Sequence, residues 1–262
     1  MGATSARGRS HLLAALAAAT FLTACSGGPG AGIGGSGSSM SLAEKAMSAG
    51  DYGTAANLYQ QAFDANPRSV DPLVGLGRSY TGLGQFSRAE QALLEANLRK
   101  PRNPEILLEL SRTQLAGGKP QAALTNLEVA SKRAPKNIQI TTARGIALDR
   151  LSRHKEAQTV YREGLARNPT DFALLSNLGL SLGLSGQTDE GIRILSELSR
   201  DNASSARTRG NLALVYGLAG KDREAAATLS RDLSSQQVQS NLAYYRELRA
   251  LLKQGKPIGN VQ

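Results

Sequence analysis

The chain has 262 residues, with 31 Lys and Arg against 21 Asp and Glu, so its formal charge is +10. One Cys excludes an internal disulfide and a zinc site built from cysteines, and two His leave little room for a histidine-rich metal centre. A basic excess of this size raises the question of nucleic acid, anionic lipid or an acidic partner.

Residues 1–24 are predicted to be a secretory signal. Two arginines precede an apolar run at residues 12–22, which is too short to span a bilayer. The sequence Leu22-Thr23-Ala24-Cys25 resembles the lipobox of bacterial lipoproteins. The resemblance implies cleavage before Cys25, lipid attachment to its sulfur and, with Ser26 next, sorting to the periplasmic face of the outer membrane. The alternative is a plain signal peptide with an incidental Cys.

Residues 25–39 are predicted to be the lipidated Cys followed by a tether. The segment SGGPGAGIGGSGSS consists largely of Gly and Ser, which cannot bury apolar area. A flexible coil of this length spans roughly 20 Å. No predicted strand precedes it and no Lys-Ser/Thr pair ends it, so it is not interpreted as a phosphate-binding loop.

The rest of the chain repeats every 34 residues. Pro67, Pro101, Pro135 and Pro169 are spaced at this interval. Three further sets recur before each proline: Ala55, Ala89, Ala123 and Ala157; the large residues Tyr59, Leu93, Leu127 and Tyr161; and Gly50, Gly84 and Gly118 with Ser152. Large residues at helical spacing predict buried stripes, whereas Gly and Pro end helices. Each unit therefore reads as a helical hairpin, which buries its apolar face only by stacking on its neighbours.

This pattern resembles the tetratricopeptide-repeat family. The resemblance implies an all-α, right-handed superhelix of six hairpins over residues 40–239, with a capping helix and tail in 240–262. An irregular α-helical bundle is the alternative fold, and a membrane-surface helix is the alternative for the C-terminal segment.

Individual residues refine the predicted helices. Asp71-Pro72 and Asn103-Pro104 are each interpreted as an N-cap followed by a first-turn proline. Gly191 stands where the other units carry Ala. Asp232 falls at a normally small position, so the second helix of the sixth unit is expected to end early.

The sequence predicts no enzyme, cofactor, metal site or small-molecule substrate. No metalloprotease, phosphate-loop or nucleophile-elbow motif occurs. His154, beside two basic residues, is interpreted as a solvated turn residue. Unit by unit the net charge is −1, +2, +2, +2, −2 and +2, then +3 for residues 240–262, so the basic excess is dispersed along the sequence. No nucleic-acid site is expected.

Binding to a protein partner is the predicted activity. In the family that the repeats resemble, the first helices line a concave ligand-binding face. The corresponding residues of this chain are Arg78, Arg112, Asp149, Asn177, Leu180, Asn211 and Leu214. Asn177 and Asn211 are equivalent in adjacent units, and an Asn amide can hold a peptide backbone; the alternative is local bonding on the helix. The two-carboxylate clamp of chaperone-tail binders needs Lys and Asn at the sites that here hold Val74 and Arg78, so binding of that kind is not expected.

A narrower resemblance concerns residues 209–248, RGNLALVYGLAGKDREAAATLSRDLSSQQVQSNLAYYREL. With the lipobox, tether and repeats, this stretch resembles the TadD family of tight-adherence (Flp) pilus-assembly lipoproteins. The resemblance implies a scaffold that assists assembly or placement of the secretin channel, with the secretin or another assembly component as partner. The alternative is an adaptor of another envelope machine, in outer-membrane protein insertion or cell-wall hydrolase recruitment.

Overall fold

The computed structural model describes residues 36–200, 205–256 and 258, and within them it contains thirteen α-helices and no strand. The first six are α1 (Ser36–Ser48), α2 (Tyr52–Ala65), α3 (Asp71–Gly82), α4 (Phe86–Arg99), α5 (Pro104–Ala116) and α6 (Pro120–Arg133). The remainder are α7 (Ile138–Arg150), α8 (His154–Arg167), α9 (Phe172–Leu184), α10 (Thr188–Ser199), α11 (Ala206–Leu218), α12 (Asp222–Leu229) and α13 (Ser235–Lys253).

Helices α1 to α12 pair into six consecutive hairpins, which confirms the predicted all-α repeat architecture. The first helix of each hairpin also packs on the first helix of the next, from α1 against α3 through α9 against α11. Successive second helices, α2 with α4 for example, bring no Cα atoms within 8 Å of each other in the described chain. The first helices therefore form the inner layer of the array, and the second helices form the outer layer.

In the second, fourth and fifth hairpins, a glycine on the first helix receives a large side chain from the second helix. A Cβ added at Gly77 would lie 2.4 Å from Cγ of Leu93, and one at Gly145 would lie 2.1 Å from the Tyr161 ring. The predicted large residues Tyr59, Leu93, Leu127 and Tyr161 are all fully buried, as are Ala55, Ala89, Ala123 and Ala157. The repeating sets in the sequence are thus the contacts within and between hairpins.

The turn inside each hairpin needs a left-handed backbone. Gly50, Gly84 and Gly118 have φ of +76°, +70° and +73°, a conformation that glycine adopts without steric cost. Ser152 occupies the same place in the fourth unit with φ of +59°. The turn positions predicted from the spacing are therefore confirmed, including the one that lacks glycine.

The two predicted proline-linked caps differ. Asn103 caps α5 by accepting hydrogen bonds from the amides of Glu105 and Ile106, as predicted. The cap prediction for Asp71 is wrong, because α3 begins at Asp71 and Val70 precedes it without a side-chain cap. Asp71 instead places a carboxylate in the first turn, where it faces the positive end of the helix dipole.

The C-terminal end of the array is closed by α13. The second helix of the sixth unit ends early, at Leu229, as predicted. Helix α13 starts after Ser234, whose side chain forms a capping box with Gln237. Its apolar face, Val238, Leu242, Tyr245 and Leu248, is buried against α11 and α12. The apolar face of α13 therefore completes the core of the sixth unit.

Polar contacts fix α13 and the loop before it. Asp222 accepts hydrogen bonds from Arg246 at 2.8 Å and Arg249 at 3.0 Å. The Arg246 contact contributes most to lowering the pKa of Asp222 below its ordinary value. Arg209 pairs with Asp232 through both carboxylate oxygens. Asp232, which interrupts the repeat pattern, therefore ties the loop before α13 to α11.

The predicted secretory signal, Cys25 and residues 26–35 of the predicted tether lie outside the described residues. Helix α1 begins at Ser36 and so includes the last four residues of the predicted tether, 36–39. The amides of a first helical turn need no intrahelical acceptor, so Ser and Gly are tolerated there. None of the described helices is long and apolar enough to cross a bilayer.

We expect Gly191→Ala to destabilise the protein by about 1–3 kcal/mol. An added Cβ would lie 2.6 Å from the carbonyl oxygen of Gly179, on the facing helix α9, and backbone cannot move aside as a side chain can. Urea denaturation followed by circular dichroism measures the change.

Gly210→Ala is the matched control, because nothing lies within 4 Å of its added Cβ. This control should be neutral or stabilise α11 by up to about 1 kcal/mol through helix propensity. Equal stability of the two variants would contradict the close approach of α9 and α10.

Candidate functional site

The candidate binding site is the inner face of the array, formed by exposed side chains of the first helices. One equivalent position shows how its chemistry changes along the array. It carries the charged residues Glu44, Arg78 and Arg112 in the first three units and the apolar residues Ile146, Leu180 and Leu214 in the last three. At this position the first three units, the charged half of the array, carry exposed charges, whereas the last three carry apolar side chains, of which Leu214 is buried.

The charged half contains a cavity of about 180 Å³ between α1, α3 and α5. Arg78 is exposed and lines this cavity together with three carboxylates, those of Glu44, Asp71 and Glu105. Apolar walls come from Met40, Val70, Val74 and Ile106. Lys100 also lines the cavity, with its Nζ 3.8 Å from a carboxylate oxygen of Asp71. Two cations beside three carboxylates can bind a ligand that carries charges of both signs, such as a polar peptide segment.

Tyr59 lies behind this cavity in the core. Its ring packs against Gly75, which lines the cavity, and its buried hydroxyl has no hydrogen-bond partner among the described residues. Burial raises the pKa of Tyr59 to about 12, and the Glu44 carboxylate adds to the effect. Tyr59 therefore stays neutral at physiological pH and acts as packing for the cavity wall.

Arg112 is exposed on α5 and is already engaged. Its guanidinium donates to Glu109 on the same helix at 2.6 Å and to Gln139 on α7 at 3.1 Å. The side chain thus crosses from the third unit to the fourth. Ligand binding at Arg112 would exchange or share these two exposed hydrogen bonds.

The two asparagines lie on neighbouring helices and use their donors within the protein. Asn177 donates to the carbonyl oxygen of Ala173 at 2.8 Å, and Asn211 donates across to the hydroxyl of Ser176 at 3.2 Å. Neither side-chain oxygen accepts a hydrogen bond from a described residue. Both side chains are half-buried, so these oxygens can accept hydrogen bonds from the N–H groups of a ligand backbone.

The two predicted leucines differ in exposure. Leu180 is half-buried and lies between α9 and α11, where it can contact a ligand. Leu214 is only 7% exposed and belongs to the core beneath α13. The prediction that Leu214 faces a ligand is therefore corrected: the capping helix has already covered it.

Asp149 is also corrected, because it is buried in a polar cluster. One carboxylate oxygen pairs with Nδ1 of His154 at 2.8 Å and accepts from Ser181 at 2.6 Å, while the other accepts from Tyr161 at 3.0 Å. Burial first, and then the charge of Asp149, raises the pKa of Tyr161 well above its ordinary value. The cluster joins α7, α8 and α9 and offers no carboxylate oxygen to a ligand.

The prediction that His154 is solvated is wrong. Its exposure is 9%, and its Nε2 is buried without a partner among the described residues. The turn at Ser152 places His154 first in α8, where it folds back over Asp149. One sequence pattern could have indicated this cluster: Asp149 is followed by His154 and Tyr161 across a hairpin turn. Nothing in the sequence indicated Ser181, which lies 32 residues from Asp149.

No set of three or more His, Cys, Asp or Glu side chains in residues 36–200 and 205–256 could hold a metal ion. The inner face instead offers hydrogen bonds, charges and apolar surface, which are the means of binding a peptide.

We expect Asp149→Asn to destabilise the fold by about 2–4 kcal/mol, because an amide cannot accept all three hydrogen bonds of the buried carboxylate. Asp171→Asn is the matched control, since Asp171 caps α9 by accepting from Leu174 N and Asn caps a helix equally well. Urea denaturation compares the two. Similar loss in both variants, or none in either, would contradict a structural role for the cluster.

The geometry agrees with comparisons to known proteins. Residues 46–108 match the family model described as tetratricopeptide repeat. No curated protein matches the chain significantly.

Solved structures match over most of the chain. A tetratricopeptide repeat protein from Parabacteroides merdae is 18% identical with a TM-score of 0.66, covering 83% of this chain and 90% of its own. PilW, described as a type IV pilus biogenesis factor, is 19% identical with a TM-score of 0.65, covering 83% and 98%. MamA is 19% identical with a TM-score of 0.52, covering 65% and 97%. At these identities the likeness concerns the fold, and this chain has the tetratricopeptide-repeat fold.

Proposed function

We propose that the protein is a non-enzymatic scaffold that binds a protein partner along its inner face. The observation that carries this is the pair of half-buried side-chain oxygens on Asn177 and Asn211, which have no donor within the described residues. They lie in adjacent units, next to Leu180, and can hold an extended backbone while a side chain packs on the leucine. The charged half, with Arg78 and Arg112, would then select the sequence of the partner.

We further propose a setting for this scaffold: tight-adherence (Flp) pilus assembly, where it would assist assembly or placement of the secretin. The sequence resemblance over residues 209–248 supports this, and so does the likeness in fold to PilW. This stretch begins at Arg209 in α11 and ends within α13. Inside it, the Arg209 guanidinium pairs with the Asp232 carboxylate. The stretch therefore includes the elements that close the array as well as Asn211.

The proposal includes anchoring to the outer membrane through lipid on Cys25, with the folded array in the periplasm. The lipobox-like sequence before Cys25 supports it, since two or more acyl chains hold a protein stably on a bilayer.

Deletion of the gene should abolish surface pili, and the wild-type chain should restore them. Cys25→Ala should fail to restore them at equal abundance and should lose label from a fatty acid fed to the cells. Ser26→Ala, next to the modified position, is the control that should keep both label and pili. Normal piliation in the deletion strain would refute the pilus role and favour another envelope machine, whereas label retained by Cys25→Ala would refute the anchor.

A photo-crosslinking residue at position 177 or 211 should capture the same pilus-assembly protein in cells. Position 125, exposed on the outer helix α6, is the control and should capture none of it. Equal capture from position 125, or different proteins from 177 and 211, would contradict binding on the inner face.

A further inference from the structure

One edge of the array is strongly basic. The first four connections between successive units, each taken from the last two residues of the preceding helix (64–69, 98–103, 132–137 and 166–171), carry eight cations against two carboxylates, Asp64 and Asp171. The second and third of these connections contain no Asp or Glu. We call these four connections the loop edge. Its cations are Arg68, Arg99, Lys100, Arg102, Lys132, Arg133, Lys136 and Arg167, all of them exposed.

The 34-residue repeat explains why these charges gather. Two sets of cations recur at this interval: Arg68, Arg102 and Lys136 form one, and Arg99, Arg133 and Arg167 form the other. Residues one repeat apart occupy equivalent places in a stacked array. Charges that are dispersed unit by unit along the sequence therefore line up on one side of the folded protein.

Contacts confirm that these loops are neighbours. The Arg99 guanidinium reaches back to the preceding loop, where it donates to the carbonyl oxygens of Pro67 and Ser69. The next two connections have equivalent C-terminal ends. Asn103 caps α5 and Asn137 caps α7, and each side chain accepts hydrogen bonds from the amides two and three residues later. Because α3, α5 and α7 pack side by side, the loops that precede them lie side by side as well.

Most of the loop-edge cations are available to a ligand. Six of the eight make no ion pair with any described residue: Arg68, Arg102, Lys132, Arg133, Lys136 and Arg167. At the opposite edge, Lys119 and Arg153 each lie within 2.7 Å of a carboxylate oxygen. The positive charge of the loop edge is thus poorly neutralised by the protein itself.

Two exposed leucines lie near the loop edge on α4, on a surface that also includes Glu90 and Glu95. Leu98, immediately before Arg99, is 79% exposed, and Leu94 one turn earlier on α4 is 45% exposed. The equivalent of Leu98 in the next unit is Lys132. Exposed leucine beside Arg and Lys suits a bilayer surface, where the apolar side chain enters the interface and the cations meet phosphates.

We propose that the loop edge binds the anionic phospholipid headgroups of a bilayer surface. A lipid surface is favoured over an acidic protein because seven of the eight cations line none of the described cavities and extend along an edge, and because Leu98 is exposed at the end of α4, immediately before Arg99. The choice agrees with the proposed lipid anchor on Cys25, which would hold the array near a membrane, but the contact itself requires only the loop edge. Binding would orient the array on the bilayer and leave the inner face open.

The test uses the unlipidated chain from Ser26 to Gln262, which retains every described contact. Its partition onto phosphatidylcholine vesicles with about one third phosphatidylglycerol is compared with that onto pure phosphatidylcholine, by sedimentation. Each cation near such a surface strengthens binding by about a factor of five, so the triple variant Arg102→Gln/Arg133→Gln/Lys136→Gln should bind on the order of 100-fold more weakly. High salt should also release the wild-type protein.

The matched control, Lys155→Gln/Lys221→Gln/Arg223→Gln, removes the same charge from three exposed cations away from the loop edge. Its affinity for the anionic vesicles should lie within about twofold of that of the wild type. Thermal melting of both variants establishes that they are folded. Equal loss in both triple variants, equal binding to neutral vesicles, or binding to polyglutamate but not to the anionic vesicles would overturn the proposal. None of these outcomes bears on the fatty-acid labelling or the piliation of the deletion strain.

Discussion

The structure depends on one recurring contact: in the second, fourth and fifth hairpins, a glycine on the first helix faces a large side chain from the second helix. At Gly77, Gly145 and Gly179 the facing Leu or Tyr occupies the space that a Cβ would need. This contact lets the two helices approach closely and buries the large residue completely. It also determines which faces remain apolar, and therefore how one hairpin stacks on the next.

The middle of the array departs from this apolar scheme. In the fourth unit Ser152 replaces the turn glycine, and the adjoining His154 folds back over Asp149. Ser181, from the following unit, completes the cluster. A buried carboxylate of this kind tolerates few alternative arrangements, since each oxygen requires its donors in place. The junction between the fourth and fifth units is thus specified by hydrogen-bond geometry in addition to shape.

Two surfaces result from the same repetition. The inner face combines side chains of successive first helices, and its chemistry changes along the array because the residues at equivalent positions change, from Arg78 and Arg112 to Leu180. The loop edge combines the connections between units, and positive charge gathers there because two sets of equivalent positions carry Arg or Lys in three successive units each. An array that binds a membrane by its edge and a protein by its inner face would hold a partner at a defined orientation to the bilayer. Separate surfaces also allow the two contacts to form independently.

The sequence by itself determined the hairpins and their order. Spacing located the buried Ala, Leu and Tyr residues, the left-handed turn positions and the short twelfth helix, because each depends on residues within one hairpin. Asp71 was misplaced by a single residue, since the choice between N-cap and first helical residue depends on the backbone of the preceding loop.

Only the tertiary structure decided which polar residues are accessible. His154 is buried because the turn of its hairpin folds it over Asp149. Asp149 and Leu214 could not be judged from their own units, because Ser181 and α13 cover them. The basic loop edge was hidden for the same reason: counting charges along the chain disperses them, whereas stacking places every thirty-fourth residue side by side. Local spacing fixes helices, but accessibility and surface charge are set by contacts between residues that are distant in sequence.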